Sequence, residues 1–257
     1  MLNGIEFESS KLGSKEHWEA VYARELNSFR DIGDEGEICH HLEDSESYPL
    51  NTRFGQESID KMVQWAAEHV PPSDDPAILE LGSGNGTLLF SLVEQEDYSP
   101  QRLCGIDYSS SAVELAKSIA HQKAMQDILF HMCDFLHQDP PLPSFVSNSE
   151  EQKNLGQVDN WDLVLDKGTY DAIALGEKDE QGRSPVFRYP SRAARLIKPG
   201  GFLLITSCNF TEEELKANFL TQENKLVYHS SIKYPTFSFG GHSGAKYSSV
   251  AFQKTSQ

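Results

Sequence analysis

Residues 80–86 read Glu80-Leu81-Gly82-Ser83-Gly84-Asn85-Gly86, with three glycines at alternate positions directly after an apolar run. Glycines so spaced permit positive φ and let a ligand press against bare backbone. A helical pattern starts at Thr87, and the first turn of a helix offers unpaired N–H groups to a carboxylate or other anion. Asp107 ends the next apolar run, 21 positions beyond Gly86. An acid about 20 residues past such a loop suits the hydroxyl pair of a ribose. Two further runs end in Cys133-Asp134-Phe135 and Asp166-Lys167-Gly168. Asp134 is suited to the amino group of an adenine, with Phe135 beside the base. Acids at the same end of four successive strands mark a binding edge for a cofactor that contains adenosine.

The elements that must position these residues can be read from hydrophobic periodicity. Strands are predicted over Ala77–Ser83, Arg102–Tyr108, Ile128–Phe135, Trp161–Lys167 and Phe202–Asn209, the last entered through a Lys198–Gly201 turn. Helices are predicted over Thr87–Gln95, Ser111–Ala124, Tyr189–Leu196 and Thr211–Phe219, with Thr211 and Glu214 spaced as a capping box. Lys225–Tyr234 and Tyr247–Lys254 are two more strands with only a loop between them, as in an antiparallel edge hairpin. Alternating short apolar strands and helices imply an α/β fold, its mostly parallel sheet covered on both faces. Ahead of it, residues 1–75 carry helical patterns at His17–Phe29 and Ser58–His69 around an acidic loop. They are expected to form a helical cap packed on residues 76–257, the whole being a single structural unit.

Charge narrows the function. The 257 residues hold 22 Lys+Arg against 39 Asp+Glu, a formal net charge of −17, and mean hydropathy is −0.48. Twelve of the acids and four of the bases fall within residues 1–46. Such a surface repels phosphate backbones and anionic lipid, so direct nucleic-acid or membrane binding is not expected. No run approaches the ~20 apolar residues of a membrane span, and the first 15 residues lack the apolar core of a signal peptide. Cys39, Cys104, Cys133 and Cys208 lie far apart with no zinc spacing, and the last three fall in predicted strands as core residues. A reducing, cytoplasmic compartment is expected, with no metal. No heptads or long apolar edge argue for a dimer, so a monomer is expected.

Which adenosine cofactor is meant turns on Thr87. A dinucleotide fingerprint requires a glycine there, and a P-loop would end in G-K-[ST]. The run E-L-G-x-G-x-G instead resembles motif I of class I S-adenosylmethionine (AdoMet) methyltransferases. AdoMet has no pyrophosphate to neutralise, which agrees with a site of acids. The segments Asp162–Ile173 (DLVLDKGTYDAI), Lys198–Leu215 and Pro235–Gly244 (PTFSFGGHSG) are similar to the elongation factor 1-alpha lysine methyltransferase family. So are Tyr22–Ile38 and Phe54–Trp65, and the resemblance runs from about Trp18 to Lys254. Two stretches depart from the family's pattern: residues 39–53 intervene before Phe54-Gly55 with no tryptophan there, and the polar loop Ser147–Asn160 is long.

The resemblance implies a seven-stranded Rossmann-like sheet, AdoMet as methyl donor with S-adenosylhomocysteine as product, and translation elongation factor 1-alpha as a basic protein substrate. It carries over Glu80, Gly82, Ser83, Gly84, Asp107, Tyr108, Asp134, Phe135 and Asp166 as cofactor residues. Trp18, with Tyr22, could close over the methionine end, or equally form the apolar face of a packing helix, the commoner fate of such stripes. Tyr170, Phe237 and Phe239 would line the lysine channel, although Phe237 and Phe239 could instead be alternating core residues at the start of a loop. Asp166 is expected nearest the entering amine, orienting it, and Lys167 is expected to point away and pair with Asp171. Other readings stay open on sequence alone: a class I methyltransferase of another protein or a small molecule, or a non-catalytic interaction protein on the same fold. An acidic face would speed encounter with a basic substrate, so the acid-rich N-terminal segment is expected near the substrate entrance.

Overall fold

β1 (Ile78–Leu81) is buried at all four residues, and β2 (Leu103–Asp107) at all five. β4 (Trp161–Lys167) is nearly so. Runs this apolar belong to parallel strands covered on both faces. The computed structural model describes residues 7–33, 35, 50–143, 160–239, 242–245 and 247–256, with backbone only at 50–54, 236–239 and 242–245. One sheet has the strand order β3-β2-β1-β4-β5-β9-β6, where β3 is Leu129–Met132, β5 Ile197–Ser207, β6 Leu226–Ile232 and β9 Ser248–Lys254. Pairs from β3 through β5 are parallel, whereas β9 runs antiparallel to both β5 and β6. The direction of winding reverses between β1 and β4, where Leu81 sits beside both Ile106 and Asp166. In open α/β sheets that reversal opens a crevice at the carboxyl ends of the strands.

Helices cover the two faces. α1 (Lys15–Ile32), α2 (Leu50–His69), α3 (Thr87–Glu96) and α4 (Ser110–Gln122) share one apolar cluster with Ile78, Leu163 and Leu204. α6 (Tyr189–Leu196), α7 (Glu212–Phe219) and the short α5 (Thr169–Ala174) share the other with Leu79, Val164 and Leu203. Neighbouring strand residues thus feed opposite cores, as the two-residue period requires. α1 holds on through Trp18, Tyr22 and Leu26, at four-residue spacing and all buried. Each such side chain contributes about 1.5–3 kcal/mol on burial. Ser14 caps its start, and Gly33, at φ +74°, closes its end. The Thr211/Glu214 capping box of α7 is formed. The N-terminal helices therefore share their core with the helices of the sheet.

Three local expectations change. Lys198–Gly201 is not a turn ahead of a strand but an excursion within β5, between the pairs Trp161↔Ile197 and Leu163↔Phe202. Gly200 there has φ +83°, and Lys198 forms an ion pair with Asp162. The connection between the last two sheet strands holds a ribbon, β7 (Thr236–Phe239) paired with β8 (His242–Ala245). Cys208 falls just beyond β5 and is exposed, while Cys104 and Cys133 are buried. Residues 34, 36–49 and 144–159 lie outside the described residues, and with them Cys39 and most of the acidic loop and of the long polar loop. Among the described residues no helix is long and apolar enough to cross a membrane, and no cluster of His, Cys, Asp or Glu could hold a metal ion.

Candidate active site

A cavity of about 660 Å³ opens at the crevice between β1 and β4. Its floor is the glycine loop, Glu80 to Asn85, and its walls include Asp107, Tyr108, Asp134, Phe135 and Lys167–Thr169. α1 contributes Trp18 and Tyr22, and Gly33 and Glu35 follow at the rim. Gly82 and Gly84 hold φ of +67° and +53°. A Cβ on Gly82 would stand 1.9 Å from Thr169 Oγ1, and one on Gly84 would stand 2.4 Å from the Tyr22 hydroxyl oxygen. Both positions therefore require glycine on conformation and on space. Thr169 Oγ1 donates to Leu81 O at 2.8 Å, tying the loop to β4.

The carboxylates differ in what they hold. Asp107 Oδ2 accepts from Gly84 N–H at 3.0 Å and Oδ1 from Ser109 N–H at 2.9 Å. Burial pushes its pKa up to about 6 against those hydrogen bonds, while each oxygen keeps a lone pair for a ligand hydroxyl. Glu80 is raised well above the usual carboxylate range, chiefly by burial, which outweighs the charge of Lys167. Glu80 Oε2 and Ser83 Oγ are buried without a hydrogen-bond partner among the described residues. Both residues line the cavity, and unsatisfied polar atoms there call for a polar ligand. Asp134 is half-exposed, accepts from Leu136 N–H at 3.2 Å and lies 3.1 Å from His137 Nδ1. Phe135 packs edge-on against Tyr189, with the Arg192 guanidinium 5.4 Å from its ring centroid. Arg192 Nε also donates to Phe135 O at 2.6 Å, fixing the ring from behind.

An alternating-glycine loop, an acid at the end of β2 and a cavity of nucleotide size fit AdoMet. A family model described as a methyltransferase domain matches residues 72–251. Protein-lysine N-methyltransferase efm4 of Schizosaccharomyces pombe is 37% identical over 95% of this chain and 94% of its own. EEF1A lysine methyltransferase 2 of Homo sapiens is 36% identical over 96% of this chain and 89% of its own. This chain belongs to their family of protein-lysine methyltransferases. The Synechocystis magnesium protoporphyrin IX methyltransferase, solved with bound SAM, superposes with TM-score 0.55 over 93% of this chain and 97% of its own. At 14% identity it shares the fold alone.

Within that family's frame, three residues stand elsewhere than the sequence suggested. Asp166 is fully buried and is absent from the cavity wall. Its carboxylate turns inward: Thr169 N–H donates to Oδ1 at 2.9 Å, Tyr170 N–H to Oδ2 at 3.0 Å, and the Tyr189 hydroxyl to Oδ2 as well. The reason is local. Gly168 lets the chain enter α5 at φ +84°, and an acid three residues before a helical N–H is drawn to cap it. Burial raises the Asp166 pKa to about 7 despite these bonds. Tyr170 is likewise buried, among Tyr189, Phe210 and Phe219, with Asn218 Nδ2 donating to its hydroxyl at 3.0 Å. It is core and not channel wall. Lys167 points into the cavity, where its charge acts on Glu80. Asp171, its expected partner, accepts instead from Ser207 Oγ and from Cys208 N–H at 2.7 Å.

The remaining expectations meet at one place. Trp18, Glu80, Gly82, Ser83, Gly84, Asp107, Tyr108, Asp134 and Phe135 all line the cavity. Phe237 and Phe239 lie on β7, opposite Gly244 and His242, and only their backbone is described. The first turn of α3 is less open than expected, because Thr87 N–H donates to Asn85 Oδ1 at 3.3 Å. Sequence reasoning overlooked Thr169, which is part of the wall, and Tyr189 and Arg192, which act from behind it. Only Thr169 carried a signal, as the last residue of Asp166-Lys167-Gly168-Thr169.

Proposed function

We propose that this protein transfers a methyl group from AdoMet to a lysine of translation elongation factor 1-alpha. The observation that carries this reading is near-full-length similarity to relatives named for that activity, centred on a cavity with AdoMet chemistry. Residues available to hold the cofactor are Asp107 for the ribose hydroxyls, Asp134 and Phe135 for the adenine, and Glu80, Gly82 and Gly84 for the methionine end. Trp18 and Tyr22 cover that end from α1. The cofactor, when bound, supplies an electrophilic methyl on a sulfonium.

The chain's own contribution is placement. A free lysine, with pKa about 10.4, must shed a proton before it can attack. Apolar walls such as Trp18, Ile59 and Ile173 disfavour the ammonium by desolvation. Holding amine and methyl in line removes most of the entropy cost of a bimolecular step. Asp166 serves as a positioning residue: by capping α5 it holds Thr169 against Gly82, and so sets the shape of the glycine loop. The acid excess of the chain, with Glu35 on the cavity wall, favours encounter with a basic protein.

The reading is tested with tritiated AdoMet and purified elongation factor 1-alpha. Wild type is expected to label the factor, and replacing its modified lysine by arginine is expected to abolish the label. A wild type that labels other proteins of a cell lysate but never the factor would overturn the substrate assignment. Label that survives Gly82→Arg unchanged would overturn the cofactor site.

A further inference from the structure

Residues 10–22 run from one side of the sheet's winding reversal to the other, across the cavity. On the β4 side, Ser10 N–H donates to Leu175 O at 3.0 Å. Gly13 presses so closely on the chain that a Cβ would stand 2.1 Å from Leu175 C. In mid-span Trp18 Nε1 donates to Leu12 O at 2.7 Å, and the Tyr108 hydroxyl donates to Ser14 O at 3.4 Å. On the β2 side, Glu19 Oε1 accepts from Ser110 Oγ at 3.0 Å, Ser111 Oγ at 2.7 Å and Ser111 N–H at 3.3 Å, at the start of α4. One turn later the Tyr22 hydroxyl rests over Gly84. Gly13, Lys15, Trp18 and Tyr22 of this segment line the cavity.

We propose that Glu19 is a positioning residue for the cofactor: it latches the α1 end of a strap, residues 10–22, that must lift for AdoMet to enter and S-adenosylhomocysteine to leave. Three donors converge on one carboxylate oxygen, and hydrogen bonds to a charged group are the strong ones. The start of α4 adds the attraction of a helix N-terminus for an anion. Glu19 sits on α1, which carries the cavity residues Trp18 and Tyr22, and its partners open α4, which starts directly after Asp107 and Tyr108 of the cavity wall. Releasing the latch therefore loosens the strap over the ligand without touching the glycine loop. A second tie between the same helices, the Arg30–Glu114 ion pair, lies at the far end of α1 with side chains 53% and 57% exposed. It is the natural control, because it joins α1 to α4 and touches no cavity residue.

The inference rests on the cavity being the AdoMet site, and the experiment separates the two. AdoMet and S-adenosylhomocysteine binding are measured by calorimetry, and their release by stopped-flow tryptophan fluorescence, to which Trp18 contributes from the cavity wall beside the more distant Trp65 and Trp161. Glu19→Ala is expected to weaken both ligands about tenfold, mostly through faster release, the scale of one lost charge-assisted hydrogen bond. Glu19→Gln keeps an accepting oxygen and is expected to recover part of that loss. If Glu19→Ala fails to fold, Glu19→Gln and Ser111→Ala decide the matter, each binding the cofactor more weakly than wild type. Glu114→Ala is expected to bind as wild type. In turnover, Glu19→Ala raises KM for AdoMet while kcat and the KM for the protein substrate stay near wild type, a split that general destabilisation would not produce. Wild-type affinity and release in the Glu19 variants, or an equal shift in Glu114→Ala, would overturn the latch. A wild type that binds neither ligand would overturn the cavity assignment beneath it.

Discussion

The two halves of the binding edge carry the same signal, an acid at a strand end, and use it in opposite ways. On the β1–β2–β3 half, Glu80, Asp107 and Asp134 line the cavity. On the β4 half, Asp166 is buried and spent on the protein's own donors, as is Asp171 within α5. The difference lies in the segment that each strand leads into. After β1, glycines at positive φ carry the chain away and Asn85 caps α3, leaving Glu80 Oε2 without a partner among the described residues. After β4, α5 begins at once, and its first N–H groups capture Asp166. An acid at a strand end is thus free for a ligand only where another group caps the next helix.

The largest effect is expected from the loop that both halves share. Gly82→Val would drive a side chain into Thr169 from a backbone conformation that β-branched residues avoid. It should abolish AdoMet binding by calorimetry, a loss of at least about 100-fold, and cost roughly 2–3 kcal/mol of stability. Next comes pH, which reads both halves together. Burial raises Asp107 to about 6, Asp171 to about 6 and Asp166 to about 7, all from an ordinary value of 3.8. Carboxyls raised in the folded state stabilise it while protonated, so their contribution is full below pH 4 and fades as pH climbs through about 6 to 7. The melting temperature of the cofactor-free protein should accordingly fall between pH 4 and 8, less steeply in Asp166→Asn. AdoMet affinity should move the other way, dropping below about pH 6 as Asp107 takes up a proton, and Asp107→Asn should lose that dependence.

Smaller effects sharpen the contrast. Tyr189→Phe removes one donor from Asp166 and should cost about 1–2 kcal/mol in urea unfolding, with AdoMet affinity changed less than threefold. Thr211→Ala breaks the capping box of α7 at a residue that does not line the cavity. It should cost about 1 kcal/mol and leave methyl transfer unchanged.

Much of this was legible beforehand. The parallel strands announced themselves as apolar runs ending in acids, and the alternating glycines with Asp107 placed the cofactor edge. What stayed hidden depends on direction rather than on residue type. Nothing in Asp162–Ile173 says which way the Asp166 carboxylate turns, because a helix cap and a ligand contact ask for the same residue. Tyr170 was expected in the lysine channel, and nothing local shows that it turns to the core, where Asn218, 48 residues away, settles its hydroxyl. The insertion of β9 between β5 and β6 is a long-range pairing that no local pattern encodes. Tyr189 and Arg192 support the site from a helix that reads as plain packing.

The division between the halves is tested most directly by titrating AdoMet into Asp107→Ala and Asp166→Ala beside wild type, with thermal unfolding of each. Asp107→Ala should bind about 100-fold more weakly while losing no more than about 1–2 kcal/mol of stability. Asp166→Ala, which leaves two buried donors and the part-buried Thr169 N–H unpaired, should lose about 3 kcal/mol, yet bind AdoMet within about tenfold of wild type while folded. The reverse result, binding lost at Asp166 with stability intact and kept at Asp107, would contradict the account.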